Sequence, residues 1–298
     1  MPEDINDFEK RVPELAEYRT TATRLRPRRG TPGVRESSVG GPLLWPAEEE
    51  WPVCEDAHEE LRQTGGRLCS PDDVHTARAL LAARGRGAPT DEERAALAAV
   101  TEGHPAGILA HGGPVPLIPV AQLFQRDIPD YFGPPGTDLV QVLWCPLDHD
   151  YWTPEVSVFW RTAAEVGEVL AEPPQPAALH DEYLPNPCVV TPEQVTEYEY
   201  WELLPEPLRA KTSSDEYEAV SVARGWKAGG FTAWNLTGPA ELPCDDCGSP
   251  MRLLLAADPW EPDAEEDKPT GIMIGRGYTL WIRVCRTDPT HPVHAAMQ

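Results

Sequence analysis

No run of about 18 apolar residues occurs in the 298-residue sequence, so it offers no membrane-spanning helix. Bases are scarce: 25 Lys and Arg stand against 49 Asp and Glu, a formal charge of −24. Nucleic acid and anionic lipid both need a cationic surface, so neither is expected as a partner. The G-x-x-x-x-G-K-[ST] phosphate loop and the G-x-S-x-G nucleophile elbow are missing. The opening MPEDINDFEKRVPELAEYR is acidic and amphipathic, without the basic start and apolar stretch of a secretion signal. A cytoplasmic protein is expected. Its seven cysteines are then thiols or metal ligands before they are disulfides.

Proline and glycine are plentiful, at 34 and 23 residues, which breaks long helices and favours short strands and turns. Ten Trp, five Phe and eight Tyr supply bulky core material. The order of features recurs along the chain. GGPLLWP at Gly40 and Gly41 is matched by GGFTAWN at Gly229 and Gly230, with Trp45 and Trp234 equally placed. Cys54 and Cys244 follow, then the Pro-led apolar strands PLIPVAQL and PMRLLLAA. β-Rich runs end at Cys145 and Cys285, before PLDHD and RTDPTHP. Upstream, RTTATRLRP and QVTEYEYWE both alternate in the manner of strands.

This pattern predicts an α+β fold, predominantly antiparallel β, built by internal duplication of one unit. We expect an N-terminal helix over 1–17, a first repeat over 18–160, a connector over 161–189 and a second repeat over 190–298. A helical insertion fills 59–112 of the first copy. Ser70-Pro71-Asp72-Asp73 starts one helix, with Val74, Ala77 and Leu81 on one face. Thr90-Asp91-Glu92-Glu93 is a capping box opening a second, with Leu97 and Val100 inside.

The strongest local chemistry is Cys244-Asp-Asp-Cys247-Gly248. Two thiolates three positions apart grip one tetrahedral Zn²⁺ from a tight turn, and the glycine lets the turn close. Cys285 is the expected third ligand and His291 the fourth, with His294 the alternative. The plain alternative is a pair of reduced cysteines in a turn. A thioredoxin-like role is disfavoured, because PMRLLL after the motif reads as a strand rather than a helix. A second, weaker candidate site is Cys54, His58, Cys145 and His149, where C-x₃-H spacing replaces CxxC. Four protein ligands close a site, so zinc is expected as a structural ion in either copy.

Other features carry weaker signals. Asp148, His149 and Asp150 read as a solvated turn before they read as an acid–base cluster. Gly275-Arg276-Gly277 reads as a tight bend before a strand. AEEEWPVCEDAHEE and DPWEPDAEEDK are acidic runs that each hold a tryptophan, Trp51 and Trp260. They read as solvated loops, or as an anionic surface with aromatic anchors suited to a basic partner protein. The basic island RLRPRRG is expected to pair with nearby carboxylates.

The stretches SSVGGPLLWP, PLIPVAQL, GTDLVQVLWCPLDHD, WKAGGFTAW, CDDCGSPMRLLL, GIMIGRGYTLWIRVC and HPVHAAMQ together resemble the YwqG-like bacterial proteins. A weaker similarity runs to eukaryotic programmed-cell-death-type proteins with zinc-binding cysteines. The first resemblance implies a strand-dominated α+β fold from a duplicated unit, and some members are thought to be immunity proteins against bacterial toxins. The expected function is therefore a non-catalytic, protein-binding protein with structural zinc, in its sharpest form an immunity-type binder of a basic partner. A metal-dependent hydrolase at the Cys54 cluster is the alternative. A chaperone-like carrier of a basic client is a third reading, suggested by the eukaryotic similarity.

Overall fold

The computed structural model describes residues 9–56, 58, 68–84, 87–102, 113–149, 152–262 and 264–298. Its strands form two six-stranded antiparallel sheets and one small pair. The first sheet runs in the spatial order β2 (Arg28–Arg29), β9 (Cys188–Val189), β3 (Ser38–Val39), β6 (Ile118–Phe124), β7 (Leu139–Trp144) and β8 (Val156–Arg161). The second runs β10 (Glu193–Tyr198), β1 (Arg19–Arg24), β11 (Lys227–Gly229), β12 (Met251–Ala257), β13 (Leu280–Cys285) and β14 (His294–Met297). The pair is β4 (Val53–Cys54) with β5 (Val115–Pro116). The expected α+β architecture with antiparallel β is what the chain adopts.

One apolar cluster holds the sheets together. Val39, Val120, Val142 and Trp144 enter it from the first sheet; Ala228, Leu254, Ile282 and Val284 enter from the second. Strands β7 and β13 are buried along their whole length, which their near-continuous apolar sequences LVQVLW and LWIRVC reflect.

The two sheets agree in register as well as in order. Pairing of β6 with β7 shifts between Pro119 and Ala121, and pairing of β12 with β13 shifts between Leu253 and Leu255. Aligning these bulges sets Pro116 against Pro250, Leu143 against Arg283 and Cys145 against Cys285. The neighbouring pairs, Val39 with Ala121 and Ala228 with Leu255, then set Gly40 against Gly229. Both glycines have positive φ, +62° and +69°, a backbone that L-residues adopt with strain.

The sheets do not follow the boundaries drawn from sequence. β1 opens the first repeat yet lies between β10 and β11 of the second sheet. β9, placed by the sequence in the connector 161–189, lies between β2 and β3 of the first sheet. Each sheet thus takes in a strand from the part of the chain that supplies most of the other sheet. The match of RTTATRLRP with QVTEYEYWE is also out of register. The pairings set Arg28 against Glu193, and β9, not β10, takes the place in its sheet that β1 takes in the other. Alternation alone carries no register, and pairing across the halves supplied it.

Of the N-terminal helix expected over 1–17, residues 1–8 lie outside the described residues; a 3₁₀ helix spans Pro13–Tyr18. Of the insertion 59–112, the stretches 59–67 and 103–112 lie outside them too. Its two helices are α1 (Pro71–Ala83) and α2 (Asp91–Thr101). The Ser70 side chain accepts from the Asp73 amide, and Thr90 with Glu93 forms the full capping box. Val74 and Ala77 are buried as expected, whereas Leu81 is 44% exposed, because α1 lifts off the core in its last turn. Val100 packs against the main core from α2. Arg78 of α1 anchors the insertion: it donates to the carbonyls of Asp181 and Leu184 and to Asn186 Oδ1.

Candidate metal centres

Cys54 ends β4, and Cys145 follows the last residue of β7. His58 and His149 stand in the turns after them; the His149 amide donates to Thr153 O. Cys54 Sγ lies 3.6 Å from His58 Nε2 and 3.6 Å from His149 Nε2. Cys145 Sγ lies 3.6 Å from His58 Nε2. All four ligand atoms fall within 4.8 Å of one another.

The second cluster has the same place on its sheet. Cys285 ends β13 in the position that Cys145 holds beyond β7. Cys247 Sγ is 3.5 Å from Cys285 Sγ, and Cys244 Sγ is 3.5 Å from His291 Nδ1. These four atoms also lie within 4.8 Å of one another. The turn that presents two of them is closed by Gly248 N donating to Cys244 O at 2.8 Å. Gly248 has φ of +70°, where a side chain costs about 1–2 kcal/mol.

These spacings match the edges of a coordination tetrahedron. With bonds of about 2.3 Å to sulfur and about 2.0 Å to nitrogen, sulfur–nitrogen edges are about 3.5 Å and sulfur–sulfur edges about 3.8 Å. Both clusters expected from sequence are therefore assembled, and both are geometrically suited to hold a metal ion. His291 completes the second one. His294, the alternative, stands on β14 opposite Arg283, and burial together with that guanidinium holds its imidazole below the usual range.

Backbone amides favour the thiolate form of these sulfurs. The Asp288 amide donates to Cys285 Sγ at 3.5 Å, and amides at Asp56 and Leu147 lower Cys54 and Cys145. The Cys145 thiol and the two imidazoles hold Cys54 far below the usual thiol range. Cys145 is correspondingly pushed far up, by its bond to the Cys54 sulfur and by burial. The two sulfurs titrate as a coupled pair, the first proton leaving far more readily than the second. Cys247 is pulled down to about 6, first by the Ser249 hydroxyl and then by its amide.

Carboxylates orient the imidazoles. His149 Nδ1 lies 3.0 Å from Asp56 Oδ2 and 3.9 Å from Glu155 Oε2, leaving Nε2 toward the sulfurs. His291 Nε2 lies 3.7 Å from Asp288 Oδ2. Burial lowers His149, but the Cys54 sulfur, Glu155 and Asp56 outweigh it, and its net direction is up. His291 is raised by the sulfurs of Cys285 and Cys247. A raised imidazole takes its proton at a higher pH than an ordinary one, and a protonated nitrogen cannot ligate. Bound metal is therefore expected to leave both centres as the pH falls through the weakly acidic range, read by a zinc-responsive dye. Retention of all metal well below the ordinary imidazole range would contradict the assigned ligands.

The remaining sequence candidates sort cleanly. Asp148 is not a solvated turn residue: it is half-buried, accepts from the Tyr183 hydroxyl and lies 3.3 Å from His180 Nε2. Burial works to raise it, and the bonds from His180 and Tyr183 win, leaving it below the usual carboxylate range. Asp150 lies outside the described residues. Gly275 and Gly277 form the tight bend expected, with φ of +58° and +93°. The basic island pairs as expected: Arg24 with Glu261, Arg26 with Glu193 and Arg29 with Glu266.

Trp51 corrects an expectation. It is no surface anchor: its indole donates to Leu117 O at 2.8 Å and its ring packs on Trp45 at 5.0 Å. Trp260 does stand out, 49% exposed, with the Lys268 ammonium 3.9 Å from its ring centre. Among the described residues the most exposed large apolar side chain is Trp152, at 71%, in the turn that carries His149. Sequence reasoning missed it, and missed Glu155, since nothing in their spacing marks them. Compared with models of known protein families and with curated proteins, the chain matches none.

Proposed function

We propose that this chain is a non-catalytic zinc protein that works by binding another protein. Zinc is the ion that two-thiolate, two-imidazole and three-thiolate, one-imidazole tetrahedra favour. In this reading each ion ties the end of a central strand to a distant turn: β7 to the turn after β4, and β13 to the Cys244–Gly248 knuckle. The observation that carries it is the full set of four mutually spaced protein ligands in each cluster, which leaves no place reserved for a substrate. The shared strand order and bulge position of the two sheets support descent from one doubled unit.

The partner side of the proposal rests on charge and on Trp152. Trp152 is exposed in the turn that carries His149, whose imidazole meets exposed Asp56 and Glu155, on a chain of net charge −24. An exposed aromatic anchor on an acidic chain suits a basic protein surface, and an immunity-type partner is its sharpest form. The test is retention of a partner from native cytoplasmic extract at low salt, its release by high salt, and loss of both with Trp152→Ala. Retention that ignores salt and Trp152 would defeat the reading.

One observation favours the hydrolase reading: Glu155 Oε2 lies 3.6 Å from Cys54 Sγ, a carboxylate beside a metal cluster. X-ray absorption separates the two. Two sulfur and two nitrogen neighbours support the closed structural ion; an oxygen in place of one imidazole supports the hydrolase.

A further inference from the structure

We propose that a cavity on the outer face of the second sheet binds a small organic oxyanion, a carboxylate or phosphate on an apolar body, through Arg283. The cavity has a volume of about 650 Å³, within the range of small-molecule sites. It is a separate matter from the metal centres, although Pro243, Gly248 and Pro250 of the knuckle form one wall.

Arg283 is the observation that demands an explanation. It lies mid-strand on β13 between Ile282 and Val284, which enter the core shared by the sheets. Alternation turns its own side chain to the opposite face, into the cavity. The residue is 4% exposed. Its only hydrogen bond among the described residues is a long one, Nη2 to Thr232 Oγ1 at 3.3 Å, and Nη1 is buried with no partner. No carboxylate of the described residues stands within ion-pair distance of it, and the Trp234 ring lies 5.3 Å away. A buried guanidinium left this way is destabilising, so the fold does not account for it.

The molecule carries its own control. The matching position of the first sheet is Leu143, fully buried in an apolar cluster. The architecture thus accepts leucine at this point, and one sheet has arginine instead.

The surroundings say what kind of ligand fits. Arg252 and Arg286 also line the cavity, so that with Arg283 three guanidinium groups share it with three carboxylates. Arg252 already lies over the Phe132 ring at 3.5 Å, and Arg286 is exposed. The lining carboxylates Asp130 and Glu241 are exposed at the rim, and half-buried Glu199 accepts from the Tyr200 amide. The buried donor without a partner in this lining, among the described residues, is the Arg283 fork, which suits a planar oxyanion. Trp234 and Phe231 offer flat apolar contact for the body that carries it.

The test is calorimetric titration of the purified, metal-loaded protein with benzoate and, separately, with inorganic phosphate. Saturable binding of at least one is expected, and whichever binds more tightly names the anion. Arg283→Leu, which installs the residue of the first sheet, is expected to weaken binding by about tenfold or more. The same variant is expected to melt no lower than the parent, an outcome that a structural arginine would not give. Arg283→Lys keeps the charge without the fork and is expected to bind more weakly than the parent, which decides the matter should the leucine variant fail to fold. No binding of either probe at millimolar concentration overturns the proposal, as does binding untouched by both substitutions.

Discussion

Elemental analysis is expected to find two zinc ions per folded chain, one of them lost in Cys145→Ser and the other in Cys285→Ser. Each serine removes a sulfur from a four-ligand set, and a hydroxyl is a poor replacement for a thiolate. Apparent binding energies of structural zinc run to about 10–16 kcal/mol, against a total folding stability of about 5–15 kcal/mol for a typical domain. Even a loss of about 4 kcal/mol lowers the melting temperature by roughly 10 °C in a chain of this size class. The two centres should yield to a chelator in order. Cys54 and Cys145 are 4% and 0% exposed, while Cys247 is exposed, so the knuckle centre is expected to empty first. A stable protein without zinc would end the structural reading. So would a metal content indifferent to both substitutions.

A second large effect is expected at a buried ion pair that no sequence pattern announces. Lys227 and Glu197 have fully buried side chains. The ammonium donates to both carboxylate oxygens, at 2.5 and 2.7 Å, and to Phe231 O at 2.7 Å. Glu197 also accepts from the amides of Ala223 and Phe231. The pair spans β1, joining β10 to β11, so it fastens that strand in place. Glu197→Ala leaves a buried ammonium unpaired and is expected to cost about 3–5 kcal/mol. The double change Glu197→Leu with Lys227→Met is expected to cost much less, since no charge is then stranded. Urea denaturation of the three proteins measures this. A single alanine change costing under about 1 kcal/mol would contradict the geometry. The pair also explains the second glycine of GGFTAWN: a Cβ at Gly230 would collide with Glu197 Oε2.

Both Cys/His clusters were legible in the sequence because cysteine and histidine in turns after apolar runs are rare, and their chemistry needs few further facts. Helix caps at Ser70 and Thr90 were legible for a similar reason, since each signal lies within four residues. Strand exchange was not legible. β1 and β9 are short runs whose partners lie far along the chain, and alternation says nothing of which sheet receives them. Trp51 misled because an acidic neighbourhood suggests exposure, whereas the ring turns inward onto Trp45. Arg283 escaped notice because LWIRVC reads as any strand with one polar residue. Its meaning came from the bulge alignment that set it against Leu143.

The exchange of strands between the two sheets bears on how the chain folds during synthesis. While residues are being added in order, the first sheet lacks its inner strand β9 until residue 189 has left the ribosome, and β1 waits longer still for its neighbours. Neither half can close on itself in the meantime. Cutting the chain between the halves would therefore give two incomplete fragments that need each other, rather than two small proteins.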